Sequence, residues 1–190
     1  MSGSSSTCIS VKAVDHIAIA VWSIEEALVL FQDVLGGEFL MGGDDERLGI
    51  RTVQLRLPPG VKIELLQPIR DDSFLHRFLR HRGPGVHHLT IIVSDLEAAL
   101  EQFRALGFET IGTDLSSPTW RETFLRPKST FGVLLQVVDT TLRWDQPIEG
   151  ITLEDVLRGH VQWWEDRPRL RSPADLRKED GENGGPSENS

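Results

Sequence analysis

The sequence predicts an α+β fold in which two tandem βαβββ modules pack together as an open barrel around one shared site. Three observations carry this. The stretch Val14-Asp-His-Ile-Ala-Ile-Ala-Val21 returns as Val86-His-His-Leu-Thr-Ile-Ile-Val93, an offset of 72 residues that also sets Ile24–Leu28 over Leu96–Leu100 and Phe31 over Phe103. Each copy passes from an alternating apolar run to a helix start of the capping-box type. Each helix is followed by three further strand-like runs.

In chain order, the first strand covers residues 14–21 and the first helix opens at Ser23-x-x-Glu26 and closes near Gly36-Gly37. Strands follow over Glu38–Met41, Ile50–Leu57 and Val61–Gln67, with a Pro58-Pro59-Gly60 turn before the last. Asp71–Arg82 reads as a short connecting helix capped by Asp72 or Ser73. The second copy runs through 86–93, a helix opened by Ser94-x-x-Glu97 and ended at Gly107, and strands Phe108–Ile111, Thr119–Arg126 and Gly132–Val138. Halves of this size cannot each close a core, so they must share one. The resulting division is a disordered leader over 1–12 and a domain over 13–139, with module one at 13–70 and module two at 84–139. An extension over 140–171 and a polar, disordered tail over 172–190 follow. In the extension, Thr152-Leu-Glu-Asp155 starts a helix whose apolar side carries Val156, Leu157, His160, Val161, Trp163 and Trp164.

Composition narrows the function. The 190 residues hold 29 acidic against 20 basic side chains, a net charge of −9, which argues against a nucleic-acid partner because phosphate binding needs a basic surface. The apolar runs are too short to span a bilayer, so no membrane partner is expected, and no secretory signal opens the chain. The single cysteine, Cys8, leaves no internal disulfide and no cysteine-rich metal site. The expectation is a soluble, cytoplasmic, acidic protein.

The chemistry sits at repeat-equivalent positions. His16 and His88 each lie near the start of a module's first strand, and Glu64 and Gln136 lie inside the apolar last strands at the same offset of 72. A lone strand histidine is more often a packed residue than a ligand, and Glu64 and Gln136 would be unremarkable on half-exposed strands. Four coincident positions favour another reading: an acid or amide in an apolar run is costly to bury alone, and one shared cation would satisfy all four. Imidazole with oxygen ligands suits one divalent ion of Zn, Fe, Co, Ni or Mn rather than Ca or Mg.

These residues resemble the vicinal oxygen chelate superfamily, which includes glyoxalase I, extradiol dioxygenases, fosfomycin and bleomycin resistance proteins and methylmalonyl-CoA epimerase. Within it the similarity is greatest to methylmalonyl-CoA epimerase. It rests on Asp15-His-Ile-Ala-Ile-Ala-Val21, Lys62-Ile-Glu-Leu-Leu-Gln-Pro68, Asp72-Ser73 with Phe78-Leu79, Gly85-Val-His-His-Leu89 and Pro127-Lys-Ser-Thr130 with Gly132-Val-Leu134. The resemblance implies a glyoxalase-like fold, the metal ligands His16, Glu64, His88 and Gln136, and a homodimer. It further implies an isomerase that forms an enolate from an acyl-CoA or similar small carbonyl substrate.

The chain departs from the family at Gln136, where the family usually has glutamate; glutamine offers a carbonyl oxygen to a metal but takes no proton. The candidate catalytic residues are Glu64, Gln136 and Glu122. Glu122 substitutes for a third-strand glutamate that some members carry where this chain has Thr52. His87 points to the opposite face of its strand and reads as structural or as a support for the site. His76 and His81 with Arg77, Arg80 and Arg82 form a solvated face or a CoA-phosphate site, an ambiguity shared by Arg126 and Lys128. Trp120, Phe124 and Phe131 line a pocket or, for at least two of them, pack the core. Two rivals remain: a non-haem Fe(II) dioxygenase using His16, His88 and Glu64, separable by oxygen consumption, or another lyase of the superfamily, and a small-molecule binding or resistance protein without catalysis, against which the histidines count.

Overall fold

The computed structural model describes residues 8–143, 145–173 and 175. Module one comprises β1 (Val11–Ala20), α1 (Ile24–Leu28) continued by a π-helical segment (Val29–Val34), β2 (Glu38–Asp45), β3 (Ile50–Leu57) and β4 (Val61–Pro68). The connecting helix α2 spans Phe74–Arg82. Module two comprises β5 (Gly85–Val93), α3 (Leu96–Ala105), β6 (Thr110–Asp114), β7 (Trp120–Leu125) and β8 (Leu134–Thr140). The extension adds α4 (Leu153–Leu157), β9 (Val161–Trp164) and β10 (Arg167–Leu170). No helix among the described residues is long and apolar enough to cross a membrane.

The ten strands among the described residues belong to one sheet, in the order β10-β9-β2-β3-β4-β1-β5-β8-β7-β6. The two modules meet at the antiparallel β1–β5 pair, flanked by the parallel pairs β1–β4 and β5–β8. The order 2-3-4-1 on one side is thus mirrored by 5-8-7-6 on the other. The sequence repeat becomes a pseudo-twofold through the module junction.

Side-chain alternation divides the sheet into an oily face and a polar one. Ile17, Ile19, Ile63 and Leu65 pack with Ile24 and Leu28 of α1, and Ile91, Val93, Leu135 and Val137 pack with Leu96, Ala99 and Phe103 of α3. Leu55 and Leu65 are fully buried, and truncating such a residue to alanine costs about 2–5 kcal/mol. The alternate positions His16, Glu64, His88, Thr90 and Gln136 therefore face the interior of the barrel, where they are buried without joining the apolar clusters.

The helix caps differ from expectation in one place. Ser23 caps α1 by accepting from the Glu26 amide, but α3 is capped by Asp95, which accepts from Ala98, and not by Ser94. Asp95 is the true repeat partner of Ser23 at the offset of 72, and aspartate caps as well as serine does. Ser94 instead bonds Ser10. Ser73 caps α2.

Both chain ends also differ. Val11 and Lys12, expected in the leader, begin β1, where Val11 pairs with Val93. The expected helix in the extension ends at Leu157, because Gly159 takes a left-handed backbone (φ 75°), and Val161 to Trp164 form a strand. Their β-branched and aromatic content favours that state. The remainder of the expected leader, residues 1–7, and residues 174 and 176–190 of the expected tail lie outside the described residues.

Candidate active site

The antiparallel register sets His16 opposite Thr90 and Ala18 opposite His88. The two imidazoles consequently meet across the module junction, with Nε2 to Nε2 at 3.4 Å. Glu64 enters from β4 and places Oε2 3.3 Å from His16 Nε2 and 3.9 Å from His88 Nε2. One donor atom from each of the three lies within 4.8 Å of the others. Two imidazole nitrogens and a carboxylate oxygen converging in a buried spot form a facial donor set suited to a divalent transition metal. His16, Glu64 and His88 thus make a candidate metal site.

Each histidine is held through its other nitrogen. His16 Nδ1 bonds Asp15 Oδ2 at 2.6 Å, and Asp15 is itself paired with the buried Lys62 Nζ at 2.8 Å. His88 Nδ1 lies 2.9 Å from His87 Nδ1, and the His87 ring packs against Phe74 and Phe78 of α2. Such outer contacts fix ring orientation at metal sites. Glu64 Oε1 accepts from Gln54 Nε2 at 2.9 Å.

Electrostatics separate the two rings. Burial alone would lower the His16 pKa, but the Glu64 carboxylate, reinforced by Asp15, outweighs it and raises the value to about 9. For His88 burial dominates and the pKa falls to about 3. Burial would raise Glu64, yet His16 pulls it down to about 2. The metal-free site is therefore an imidazolium–carboxylate pair beside a neutral imidazole.

Gln136 lies on the adjoining strand β8. Its Oε1 accepts from Thr90 Oγ1 at 2.5 Å, and its Nε2 donates to Glu122 Oε2 at 2.7 Å. Thr90 Oγ1 is in turn 2.9 Å from His16 Nε2. A continuous chain of contacts thus links Glu122, Gln136, Thr90, His16 and Glu64. Burial raises the pKa of Glu122, against the lowering effect of its bonds from Trp120 and Gln136.

The hairpin registers define a second equivalence. Gln54 pairs with Glu64 and Thr52 with Leu66 in module one, while Phe124 pairs with Gln136 and Glu122 with Val138 in module two. Glu122 therefore occupies the place of Thr52, just as Gln136 occupies that of Glu64. Each module contributes one acid and one neutral residue to these two places, with the acids diagonal to each other.

His16, Thr52, Glu64, His88, Glu122 and Gln136 line a cavity of about 500 Å³. Trp120 and Phe124 line it, whereas Phe131 sits fully exposed at a turn with φ 56° and serves neither pocket nor core. Arg77, Arg80 and Arg82 are exposed on α2, and neither they nor Arg126 and Lys128 are among the described lining residues. Sequence reasoning missed Asp15, Thr90, Gln54 and the Trp163 indole, which donates to Thr52 Oγ1 at 2.9 Å. Thr90 was discoverable, since it follows His88 by two residues on one strand face. Nothing local in the sequence ties Trp163 to Thr52.

A repeated βαβββ sheet with histidines and a carboxylate at its junction defines a class of metal-dependent enzymes that bind vicinal oxygens. The glyoxalase/bleomycin resistance protein/dioxygenase superfamily model matches residues 15–124, and the chain belongs to that superfamily. An ethylmalonyl-CoA/methylmalonyl-CoA epimerase of Cereibacter sphaeroides is 30% identical over 127 residues, 65% of this chain and 94% of the relative. A 2-epi-5-epi-valiolone epimerase of an Actinomyces species is 32% identical over 107 residues, 49% of this chain and 58% of the relative. The crystal structure of methylmalonyl-CoA epimerase from Mycobacterium tuberculosis superposes with a TM-score of 0.62 at 31% identity, covering 70% of this chain and 90% of that one.

Proposed function

We propose that the protein is a metal-dependent epimerase or isomerase that removes and returns a proton beside a carbonyl, passing through an enolate. The observation that carries this is the convergence of His16, Glu64 and His88 from both modules, with a further, half-buried acid, Glu122, lining the same cavity. Similarity to named epimerases supports the same reaction class. Their names make an acyl-CoA thioester or a similar chelating carbonyl compound the substrate class.

His16, Glu64 and His88 would hold the ion, and Gln136, whose carbonyl oxygen accepts from Thr90 beside His16, would be the fourth oxygen donor. A divalent ion there supplies Lewis acidity, polarising a substrate carbonyl and so acidifying the neighbouring C–H. Glu122 moves the proton on the module-two side. The Gln136 amide and Trp120 indole aim its carboxylate. Glu64, reached from module one, is the acid/base candidate for the opposite face, which inversion of a carbon centre requires. Gln136 takes no proton and acts by positioning Glu122. A cytoplasmic homodimer belongs to the same proposal, and light scattering reads the oligomeric state.

The test is solvent-deuterium incorporation at the carbon between the carbonyls of methylmalonyl thioesters, with purified protein loaded with Co, Mn, Ni or Zn. Metal-dependent exchange without oxygen uptake supports the proposal. Oxygen uptake with Fe(II) and no exchange would replace it by the dioxygenase reading.

A further inference from the structure

The match to the superfamily ends at residue 124, yet residues beyond 150 complete the cavity. β9 joins the sheet beside β2, with Asp44 opposite Gln162, and β10 folds back antiparallel to it. Its base is fixed to module one: the buried Arg171 pairs with Asp44 and Glu46, and Arg51 bonds both Asp44 and the Leu157 carbonyl. Its tip reaches module two. The turn residues Glu165 and Asp166 both have left-handed backbones (φ 46° and 61°), as a two-residue hairpin turn requires. Asp166 Oδ2 accepts from Thr119 Oγ1 at 2.8 Å and from Ser117 Oγ. The hairpin thus crosses the mouth of the barrel from one module to the other.

Its inward residues change what the cavity admits. The Trp163 indole covers Thr52, the module-one counterpart of Glu122, and Trp164 extends the wall. Glu165 and Asp166 join Asp45 and Glu46 among the lining residues, with Arg47 the single arginine among the described residues of that lining. Glu46 is paired with Arg171, but Asp45, Glu165 and Asp166 still outnumber Arg47, so the rim is net negative, and low-dielectric walls focus that field on an entering ligand. CoA carries a 3′-phosphate and a pyrophosphate, all anionic. The arginines of α2 that would offset them do not line the cavity.

We infer that the β9–β10 hairpin is the specificity element of the site, walling its module-one half and selecting a compact carbonyl substrate that lacks a phosphate-bearing tail. This inference rests on the enolising reading and narrows its substrate class. Arg47 accommodates one small carboxylate at the rim; a nucleotide tail must pass Glu165 and Asp166.

The experiment uses the full chain loaded with Co(II) and two thioesters with the same acyl end, methylmalonyl-CoA and methylmalonyl-N-acetylcysteamine. Dissociation constants are read from the cobalt d–d band and from tryptophan fluorescence. The truncated thioester is expected to bind about tenfold or more tightly at low salt. High salt and the exposed-turn variant Glu165→Lys are each expected to close most of that gap. Equal or tighter binding of the CoA ester by the unaltered protein overturns the inference and leaves the enolising reading standing. If neither thioester perturbs the cobalt band, the chelating-carbonyl reading falls and takes the inference with it.

Discussion

Asp15 and His87 stand 72 residues apart, and each bonds the Nδ1 of the histidine that follows it. The repeat therefore supplies the supports of the ligands as well as the ligands, but with different chemistry: a carboxylate behind His16 and a neutral ring behind His88. A carboxylate raises the basicity of the ring it holds. Asp15→Asn is expected to weaken metal binding by about 10–100-fold, measured by calorimetric titration with Zn or Co. The same change weakens the Lys62 ion pair, so the melting temperature of the metal-free protein falls as well.

The titrating groups of the metal-free site act in opposite directions. His16 has its pKa raised to about 9, so its contribution is complete below its ordinary value of 6.5 and is lost as pH rises through 9. His88, lowered to about 3, costs stability as pH falls below 6.5, because the unfolded chain takes up a proton that the folded chain refuses. Glu64, lowered to about 2, contributes above 4.5 and loses its contribution as pH falls toward 2. Melting temperature without metal should peak near pH 6.5 and decline on both sides. Bound metal must displace the His16 proton, so the metal-induced gain in melting temperature should grow from pH 6.5 to 9.

Glu122→Gln separates chemistry from metal binding. The amide keeps the shape and the Trp120 contact but carries no proton, so deuterium exchange into substrate should fall by about 10²–10⁴-fold. Metal stoichiometry should stay at the unaltered value. Loss of metal in this variant would place Glu122 among the ligands.

The hairpin's anchor is testable through Asp44, which is buried between Arg51 and Arg171. Asp44→Ala leaves two guanidinium groups facing a void and should cost about 3–5 kcal/mol, read by denaturant titration. Limited proteolysis should then cut the extension first.

Much of this was legible in the sequence because duplication writes it twice. One offset joined His16 to His88 and Glu64 to Gln136, and that coincidence, more than alternation, pointed all four at one site. The equivalence of Glu122 and Thr52 was harder, because the hairpin between β7 and β8 is longer than that between β3 and β4 and shifts the offset from 72 to 70. The extension misled for a local reason. The Thr152 capping box is real, but it starts a helix of only five residues, and the aromatic run beyond Gly159 pairs with a strand more than a hundred residues upstream. No local pattern encodes that pairing.

The most direct measurement is cobalt titration of the purified protein, followed by its d–d absorption, for the unaltered chain and for His16→Ala and His88→Ala. A single tight equivalent per chain is expected, with a spectrum typical of mixed nitrogen and oxygen ligands, abolished by either substitution. Cobalt bound equally well by both variants, or not at all by the unaltered protein, would contradict that expectation.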